Sequence, residues 1–322
     1  MSARVVALGL ALALAAGLAR AGTAAPAPAS ACPPAARSPT PEQVADGMRH
    51  AVDSGLLWKA TRDGRTVWLY GTIHVARLAW AFPGPHVVQA VRDSDVVALE
   101  LDMTDPGVLG RLRQAIAARP GAPALPDALQ RRLRAQMDAA CIAPDALATM
   151  RPEMQAVTLE VMQGRASGLY ADYGIDSVLA GMARAMNKPI RSLETPESQA
   201  SLLVSDDPQE TQASVGAVLD ELEGGKGPQM LERLAGDWQR GDLADLGAYA
   251  DWCQCLDTPQ QRADFHKLVD ERNPLMADKI VQWQAEGKTL FVAVGSLHMI
   301  GSEGLPELLR SRGFRVERVA FP

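Results

Sequence analysis

Two segments of the chain share one pattern, an apolar strand-like run that ends in Gly-x-x-His. Residues 66–70 lead into Gly71 and His74, and residues 289–294 lead into Gly295 and His298. A glycine directly after a strand permits a sharp turn and close approach of the backbone. The histidine then stands beyond the carboxyl end of the strand. The repeated pattern predicts a sheet in which both histidines reach one edge.

The tetrapeptide alone is a weak signal. A chain of 322 residues with 27 glycines and 5 histidines would contain roughly 0.4 matches by chance. A third match, Gly47-Met48-Arg49-His50, lies within a helical pattern, so its glycine is interpreted as an ordinary helix residue. The preceding apolar strand is what gives the other two matches their weight.

The surrounding pattern predicts an α/β fold. Residues 57–60 and 66–70 favour a hairpin turned by Asp63-Gly64, preceded by a helix over residues 44–57. Residues 95–101 read Asp-Val-Val-Ala-Leu-Glu-Leu, and their apolar run is typical of a strand buried on both faces of a parallel sheet. A strand over 289–294, a helix over 303–312 and a strand over 314–319 complete a βαβ unit. We expect a mixed, largely parallel sheet with flanking helices and a large helical insertion over about residues 105–271.

The amino terminus predicts export. Arg4, the apolar residues 5–18 and Ala19-Arg20-Ala21 have the form of a signal peptide over residues 1–21. Residues 22–43 are an Ala/Pro-rich linker, and residues 44–322 form the folded domain. No later run approaches the roughly 18 apolar residues of a membrane span. We therefore expect a periplasmic or secreted protein without stable membrane insertion; lipid anchoring through Cys32 is the less favoured alternative.

Composition excludes some partners. The chain is 47% hydrophobic and 22% charged, with a net charge of −6, so it can build a large core and shows no basic groove for nucleic acid. Its oligomeric state is left open.

Four cysteines in an exported chain favour disulfides. Direct pairing of Cys253 with Cys255 would strain a very short loop. The prediction is therefore that Cys32 and Cys141 each bond one of the other two. A metal site built on Cys253 and Cys255 is a weaker alternative, because the usual two-residue spacer and a second pair are missing.

The strand ends predict a metal site. Glu100 ends the third apolar strand, and it reaches the edge of His74 and His298 if that strand is parallel to the other two. Two imidazoles and a carboxylate form a set that holds a divalent ion, here Mn, Co, Zn or Fe, and leaves positions open. Glu100 would complete the site or act as general base. In the alternative interpretation each histidine bonds a loop carbonyl and Glu100 is a solvated strand end.

Six ordered motifs resemble the TraB/GumN family, which is related to the Tiki metalloproteases. They are Gly71-Thr-Ile-His74, Ala98-Leu-Glu-Leu-Asp102, Tyr173-Gly-Ile-Asp176, Pro189-Ile-Arg-Ser-Leu-Glu-Thr195, Glu271-Arg-Asn273 and Val294-Gly-Ser-Leu-His298. The resemblance implies an EreA/ChaN-like sheet core with a helical insertion. It also implies a catalytic centre on His74, His298 and Glu100.

Arg272 matches a further family position, where it would anchor a carboxylate of the substrate or stabilise an oxyanion. A salt bridge with a nearby acid is the equal alternative. Asp176 and Asn273 are interpreted as helix caps.

The sequence thus favours an exported metal-dependent hydrolase that acts on a peptide or protein substrate. No His-Glu-x-x-His or Gly-x-Ser-x-Gly motif occurs in the chain. The main alternative is a non-catalytic periplasmic module that binds a peptide signal or a haem or metal ligand. A helical insertion that docks a partner is a third.

Overall fold

A computed structural model describes residues 32–143 and 145–321. The predicted signal peptide and residues 22–31 of the predicted linker lie outside the described residues. Within these residues six strands form one sheet, β1 Leu56–Arg62, β2 Arg65–Thr72, β3 Val96–Leu99, β4 Ile190–Ser192, β5 Leu290–Gly295 and β6 Arg315–Val319. Their order is β4-β3-β5-β2-β1-β6. The first four in that order are parallel, whereas β1 pairs antiparallel with β2 and β6. The prediction of a mixed, largely parallel α/β fold is confirmed.

The register of the central strands sets the position of the site. Thr72, the last residue of β2, pairs with Gly295, the last residue of β5. Leu99, the last residue of β3, pairs with Ala293 of β5. The three strands therefore end almost level, so the residues that follow them emerge at one edge of the sheet.

Hydrophobic burial explains why these segments form the central strands. Every residue of β3 and of β5 is buried, as expected for strands covered on both faces by helices. The β1–β2 hairpin turns at Asp63 and Gly64, whose φ angles are 53° and 72°. Positive φ at both positions is what a two-residue hairpin turn of type I′ requires.

Fourteen α-helices surround the sheet in the described part of the chain. They are α1 Pro41–Arg49, α2 Pro85–Arg92, α3 Pro106–Ala115, α4 Asp127–Ala139, α5 Pro152–Met162, α6 Ile175–Ala185, α7 Pro196–Ala200, α8 Pro208–Gly224, α9 Gly227–Arg240, α10 Leu243–Gly247, α11 Tyr249–Trp252, α12 Pro259–Leu268, α13 Asn273–Ala285 and α14 Leu305–Ser311. Helices α7 and α12 begin at capping boxes on Thr195 and Thr258. None of the helices in residues 32–143 and 145–321 is long and apolar enough to cross a membrane.

The predicted amino-terminal helix over residues 44–57 is wrong at its end. Helix α1 ends at Arg49, and Leu56 and Leu57 belong to β1. Gly55, which lies between α1 and β1, has a φ of 80°. A backbone in that region interrupts a helix, and the apolar residues after it are used by the sheet.

The predicted disulfide pairing is also wrong. Cys32 bonds Cys141, and Cys253 bonds Cys255. The intervening Gln254 adopts a left-handed backbone with φ of 50°. This places the Cα atoms of Cys253 and Cys255 5.0 Å apart, within the range that a disulfide spans.

Candidate metal centre

The ends of β2, β3 and β5 bring His74, Glu100 and His298 around one point. A Cβ atom built on Gly295 would lie 3.4 Å from His74 Nε2, 3.5 Å from Glu100 Oε1 and 3.7 Å from His298 Cδ2. The three residues are 7%, 5% and 2% exposed. The glycine of the second motif therefore leaves open the space at which two imidazoles and one carboxylate converge.

Gly71 in the first motif has a different purpose. A Cβ atom there would lie 2.8 Å from Ser296 Oγ and 3.2 Å from Ser296 Cα. The hydroxyl of Ser296 donates a hydrogen bond to the carbonyl of Thr72 at 2.8 Å. Gly71 thus lets the loop after β5 pack directly on the end of β2, which keeps the two Gly-x-x-His segments side by side.

An acidic side chain orients the ring of His74. Asp176 Oδ2 lies 2.6 Å from His74 Nδ1, and Asp176 Oδ1 accepts a hydrogen bond from the hydroxyl of Thr72 at 2.6 Å. A carboxylate partner makes Nδ1 the protonated nitrogen and turns Nε2 toward the site. Nε2 is buried and has no hydrogen-bond partner among the residues that the structure describes. Burial lowers the pKa of His74, but Asp176 outweighs it and the net pKa is raised.

A neutral side chain orients the ring of His298. Asn273 Oδ1 lies 2.7 Å from His298 Nδ1, and the amide nitrogen of Asn273 donates to the Glu303 carbonyl at 2.9 Å. Because that amide nitrogen has its own acceptor, the amide oxygen must face the ring, so Nδ1 is again the donor. Burial and the nearby Arg272 lower the pKa of His298 to about 3, which keeps the imidazole neutral as metal ligation requires.

Glu100 is held as an anion. Its Oε1 accepts the backbone N–H of Gly295 at 2.9 Å, and its Oε2 accepts from Arg272 Nη2 at 2.5 Å and from Gln199 Nε2 at 3.1 Å. Burial alone would raise the pKa of Glu100, but the Arg272 guanidinium outweighs burial, and the pKa falls to about 2. A carboxylate with so low a pKa is a weak base and a good anionic ligand.

The guanidinium of Arg272 is bound by the protein itself. Besides Glu100, Nε donates to Glu194 Oε1 at 2.9 Å, Nη2 contacts Glu194 Oε2, and Nη1 donates to the Leu268 carbonyl at 2.8 Å. Arg272 is 6% exposed. Of the two roles predicted for it, this geometry corresponds to the salt bridge.

Asp176 and Asn273 do not act as helix caps, contrary to their interpretation from sequence. The N-cap residues of α6 and α13 are Gly174 and Arg272, and neither helix has a side-chain cap bond. Both polar side chains turn to an imidazole instead. A capping rule considers only local sequence, whereas these partners lie 102 and 25 residues away.

Sequence reasoning missed Glu194 and Gln199. Gln199 donates to both Glu100 and Glu194, the second bond being 2.8 Å long. Glu194 follows β4, the fourth parallel strand, and its position after a strand end was the available signal. Together with Arg272 they form a buried polar layer behind Glu100.

The charges around the site fit a divalent cation. In the metal-binding form, in which both imidazoles are neutral, the carboxylates of Glu100, Glu194 and Asp176 face one guanidinium, that of Arg272. Three negative charges against one positive charge leave an excess of two negative charges. Charge that is removed from water is costly unless it is compensated. His74 Nε2, which lacks a partner in the described part of the chain, the space beside Gly295 and this excess of negative charge all suit a bound divalent ion.

A second group with metal-ligand chemistry lies at the surface. The ligand atoms of His266, Asp270 and Glu303 all lie within 4.8 Å of one another, closer spacing than the described His74, Glu100 and His298 show. The side chains are 50%, 24% and 57% exposed. His266 is already engaged by Asp270 at 3.2 Å, so this group matters mainly as a competing site in metal-binding measurements.

The fold and the strand-end residues define an α/β protein with a buried site of two histidines and one carboxylate. The chain belongs to the TraB/PrgY/gumN family, whose model matches residues 56–318. This confirms the resemblance inferred from the six motifs.

Relatives of known name lie at low identity. The chain is 25% identical to Metalloprotease TIKI1 of Danio rerio, in an alignment that covers 82% of this chain and 63% of TIKI1. It is 24% identical to Metalloprotease TIKI2 of Xenopus tropicalis, over 82% of this chain and 60% of TIKI2. The uncharacterised protein YbaP of Escherichia coli (strain K12) is also 24% identical, over 79% of this chain and 97% of YbaP. The chain thus spans about three fifths of the Tiki proteins, and no solved structure matches it significantly.

Proposed function

We propose that the protein is an exported metal-dependent hydrolase that cleaves a peptide bond, with His74, Glu100 and His298 as its metal ligands. The observation that carries the proposal is the convergence of these three side chains on the open space beside Gly295. Similarity to two proteins named as metalloproteases supports the reaction class. Two imidazoles and one carboxylate suit Zn, Mn, Co or Fe.

Each residue around the proposed metal centre has its own role. Asp176 and Asn273 each accept the Nδ1 proton of one imidazole, which would leave the Nε2 atoms as the ligand atoms for an ion. A divalent ion in this position would supply Lewis-acid activation of water and of a carbonyl group. Arg272 keeps Glu100 ionised, so Glu100 acts as the anionic ligand rather than as the general base.

Arg272 contributes through Glu100 in this proposal. Its guanidinium is divided among Glu100, Glu194 and the Leu268 carbonyl, so it holds the ligand set in place. We therefore assign it to positioning and to charge balance, and do not assign it to binding the substrate carboxylate.

One observation favours a binding module instead. His74, Glu100 and His298 are at most 7% exposed, and an enclosed site suits retention of a small ligand better than entry of a polypeptide. Such a module would bind a peptide signal, haem or a metal ligand and release it chemically unchanged.

Metal content and peptide cleavage test the proposal. The protein lacking residues 1–21 is loaded separately with Zn²⁺, Mn²⁺, Co²⁺ and Fe²⁺, and bound metal is measured after dialysis. His266→Ala removes the competing surface group and serves as the matched control for His74→Ala and His298→Ala. We expect one tightly bound ion per chain that persists in His266→Ala and is lost in the other two variants.

Cleavage is then followed on a peptide library by mass spectrometry. A hydrolase returns fragments that disappear with His74→Ala and with His298→Ala, whereas a binding module returns intact ligand. Folded protein that binds no ion, or whose ion is lost only with His266→Ala, would refute the proposed centre.

A further inference from the structure

Residues 32–40, here called the strap, cross the described domain before α1. At one end Cys32 is bonded to Cys141, which follows α4 and is 109 residues away in sequence. At the other end Thr40 caps α1. Between these points Ala36 packs against the hydrophobic core. The disulfide thus ties one end of the strap to the domain, and the other end continues into α1.

Tyr173 makes the principal polar contact with the strap. The backbone N–H of Arg37 donates to the Tyr173 hydroxyl at 3.0 Å, and the hydroxyl donates to the Arg37 carbonyl at 2.7 Å. The hydroxyl therefore bonds both backbone polar groups of Arg37. The Tyr173 ring packs edge-on against Tyr170 at a centroid distance of 5.4 Å.

The three residues after Tyr173 all contact the His74 segment. A Cβ atom on Gly174 would lie 2.6 Å from the His74 carbonyl oxygen, so only glycine permits this approach. The N–H of Ile175 donates to the Ile73 carbonyl at 3.0 Å. Asp176 then bonds His74 Nδ1. A continuous path of contacts runs from the strap through Tyr173 to the imidazole.

We propose that the strap is a latch, and that Tyr173 is a positioning residue that holds residues 174–176 against His74. The latch is independent of what the site binds; only its effect on ion retention rests on the proposed function. With the strap released, residues 174–176 open more often, and Asp176 loses its fixed position beside His74.

The Cys32–Cys141 disulfide makes the latch sensitive to reduction. Cys141 is exposed and Cys32 half-buried, whereas Cys253 and Cys255 are 5% and 0% exposed. A thiolate of a dithiol reductant attacks one sulfur, forms a mixed disulfide and closes to its own cyclic disulfide. Cys32 and Cys141 leave as two thiols, having gained the two electrons that the reductant lost. The latch is therefore held closed under conditions in which the Cys32–Cys141 disulfide forms.

Hydrogen exchange tests the latch without any ion. Tyr173→Phe removes the hydroxyl that bonds the strap and keeps the ring, and Tyr170→Phe is the matched control, because its hydroxyl makes no hydrogen bond to residues 32–40. We expect the Ile175 amide to exchange about tenfold faster in Tyr173→Phe, because the variant loses two partly buried hydrogen bonds to the strap. It should be unchanged in Tyr170→Phe. Unchanged exchange in Tyr173→Phe would overturn the proposal.

Removal of the Cys32–Cys141 disulfide provides an independent test of the latch. Cys32→Ser with Cys141→Ser should accelerate exchange of Ile175 to a similar degree, and Cys253→Ser with Cys255→Ser should not. If the protein binds a divalent ion, its dissociation should be faster by a similar factor in the first double variant. Exchange that responds to neither the double variant nor a dithiol would refute the latch. A protein that binds no ion would refute only the proposed function.

Discussion

His74 Nδ1 lies 2.6 Å from Asp176 Oδ2, and this contact joins the end of β2 to the first turn of α6. Asp176 also accepts a hydrogen bond from Thr72, two residues before His74. The carboxylate is therefore fixed by the same strand end that presents the imidazole. His298 has a neutral partner, Asn273, so the two imidazoles are oriented by side chains of different charge.

Asp176→Asn should weaken binding of a divalent ion at His74 by about 10–100-fold, as measured for other partners of metal-bound histidines. The amide lacks the charge that makes the imidazole more basic. Isothermal titration with Zn²⁺ in the His266→Ala background measures the effect. Asp172→Asn, an exposed change four residues earlier, should leave the affinity as it was. Equal affinity in the Asp176 and Asp172 variants would show that Asp176 does not support the ligand.

Gly295→Ala should abolish ion binding with little change in stability. Its methyl group would lie 3.4 Å from His74 Nε2 and 3.5 Å from Glu100 Oε1, in ordinary van der Waals contact and in the space required by the ion. Gly295 has φ of −49°, a value that alanine adopts without strain. Metal content after dialysis and urea denaturation measure the two expectations.

The control for this change is Gly181→Ala in α6. A Cβ atom there meets no atom of the described residues within 4 Å, and alanine should stabilise the helix by up to about 1 kcal/mol. Retention of the ion by Gly295→Ala would mean that it binds elsewhere.

Periodic patterns in the sequence predict the strands and their direction well. The runs that became β3 and β5 are buried throughout, and continuous apolar runs are the pattern that such strands produce. The sheet order is less accessible, because β6 pairs with β1 and not with its chain neighbour β5. That pairing depends on long-range packing that periodicity does not encode.

The candidate site, like the fold, could be predicted from the sequence only in part. His74, Glu100 and His298 could be proposed because each follows an apolar run directly. Asp176 and Asn273 were misinterpreted as caps because helix starts suit both functions, and only the fold shows where a side chain turns. The predicted cysteine pairing is wrong for a related reason. The left-handed backbone of Gln254 brings Cys253 and Cys255 together, and no sequence pattern around Gln254 indicates that conformation.

Arg272→Gln should cost about 3–5 kcal/mol of unfolding free energy near neutral pH, because it leaves Glu100 and Glu194 buried without their cation. In the wild type the pKa of Glu100 is lowered from 4.5 to about 2. The contribution of Glu100 to stability is therefore present above pH 4.5 and is lost as the pH falls toward 2. Without the guanidinium, burial raises the pKa of Glu100, and stability is lost as the pH rises through that raised value.

The penalty of Arg272→Gln should therefore grow from about pH 4 to about pH 7 in urea denaturation. The control is Arg191→Gln, which breaks an ion pair with Glu286 whose side chains are 36% and 40% exposed. That change should cost less than about 1 kcal/mol at either pH. A penalty for Arg272→Gln that is constant or shrinks with rising pH would contradict the charge network described for Glu100.

Asp237 should make the wild type less stable as the pH rises. Burial and a hydrogen bond with Asp245 raise its pKa from 3.8 to about 6, despite the 2.6 Å contact with Arg240. A raised pKa means that the stabilising contribution is complete below pH 3.8 and is lost as the pH rises through about 6.

Asp237→Asn cannot ionise and escapes this loss. From about pH 4.5 to about pH 8, its unfolding free energy should therefore rise relative to the wild type by about 1–3 kcal/mol. Denaturation at several pH values measures the shift, with the exposed change Asp251→Asn as control. A difference between Asp237→Asn and wild type that does not vary with pH would show that Asp237 is already ionised in the folded protein at low pH.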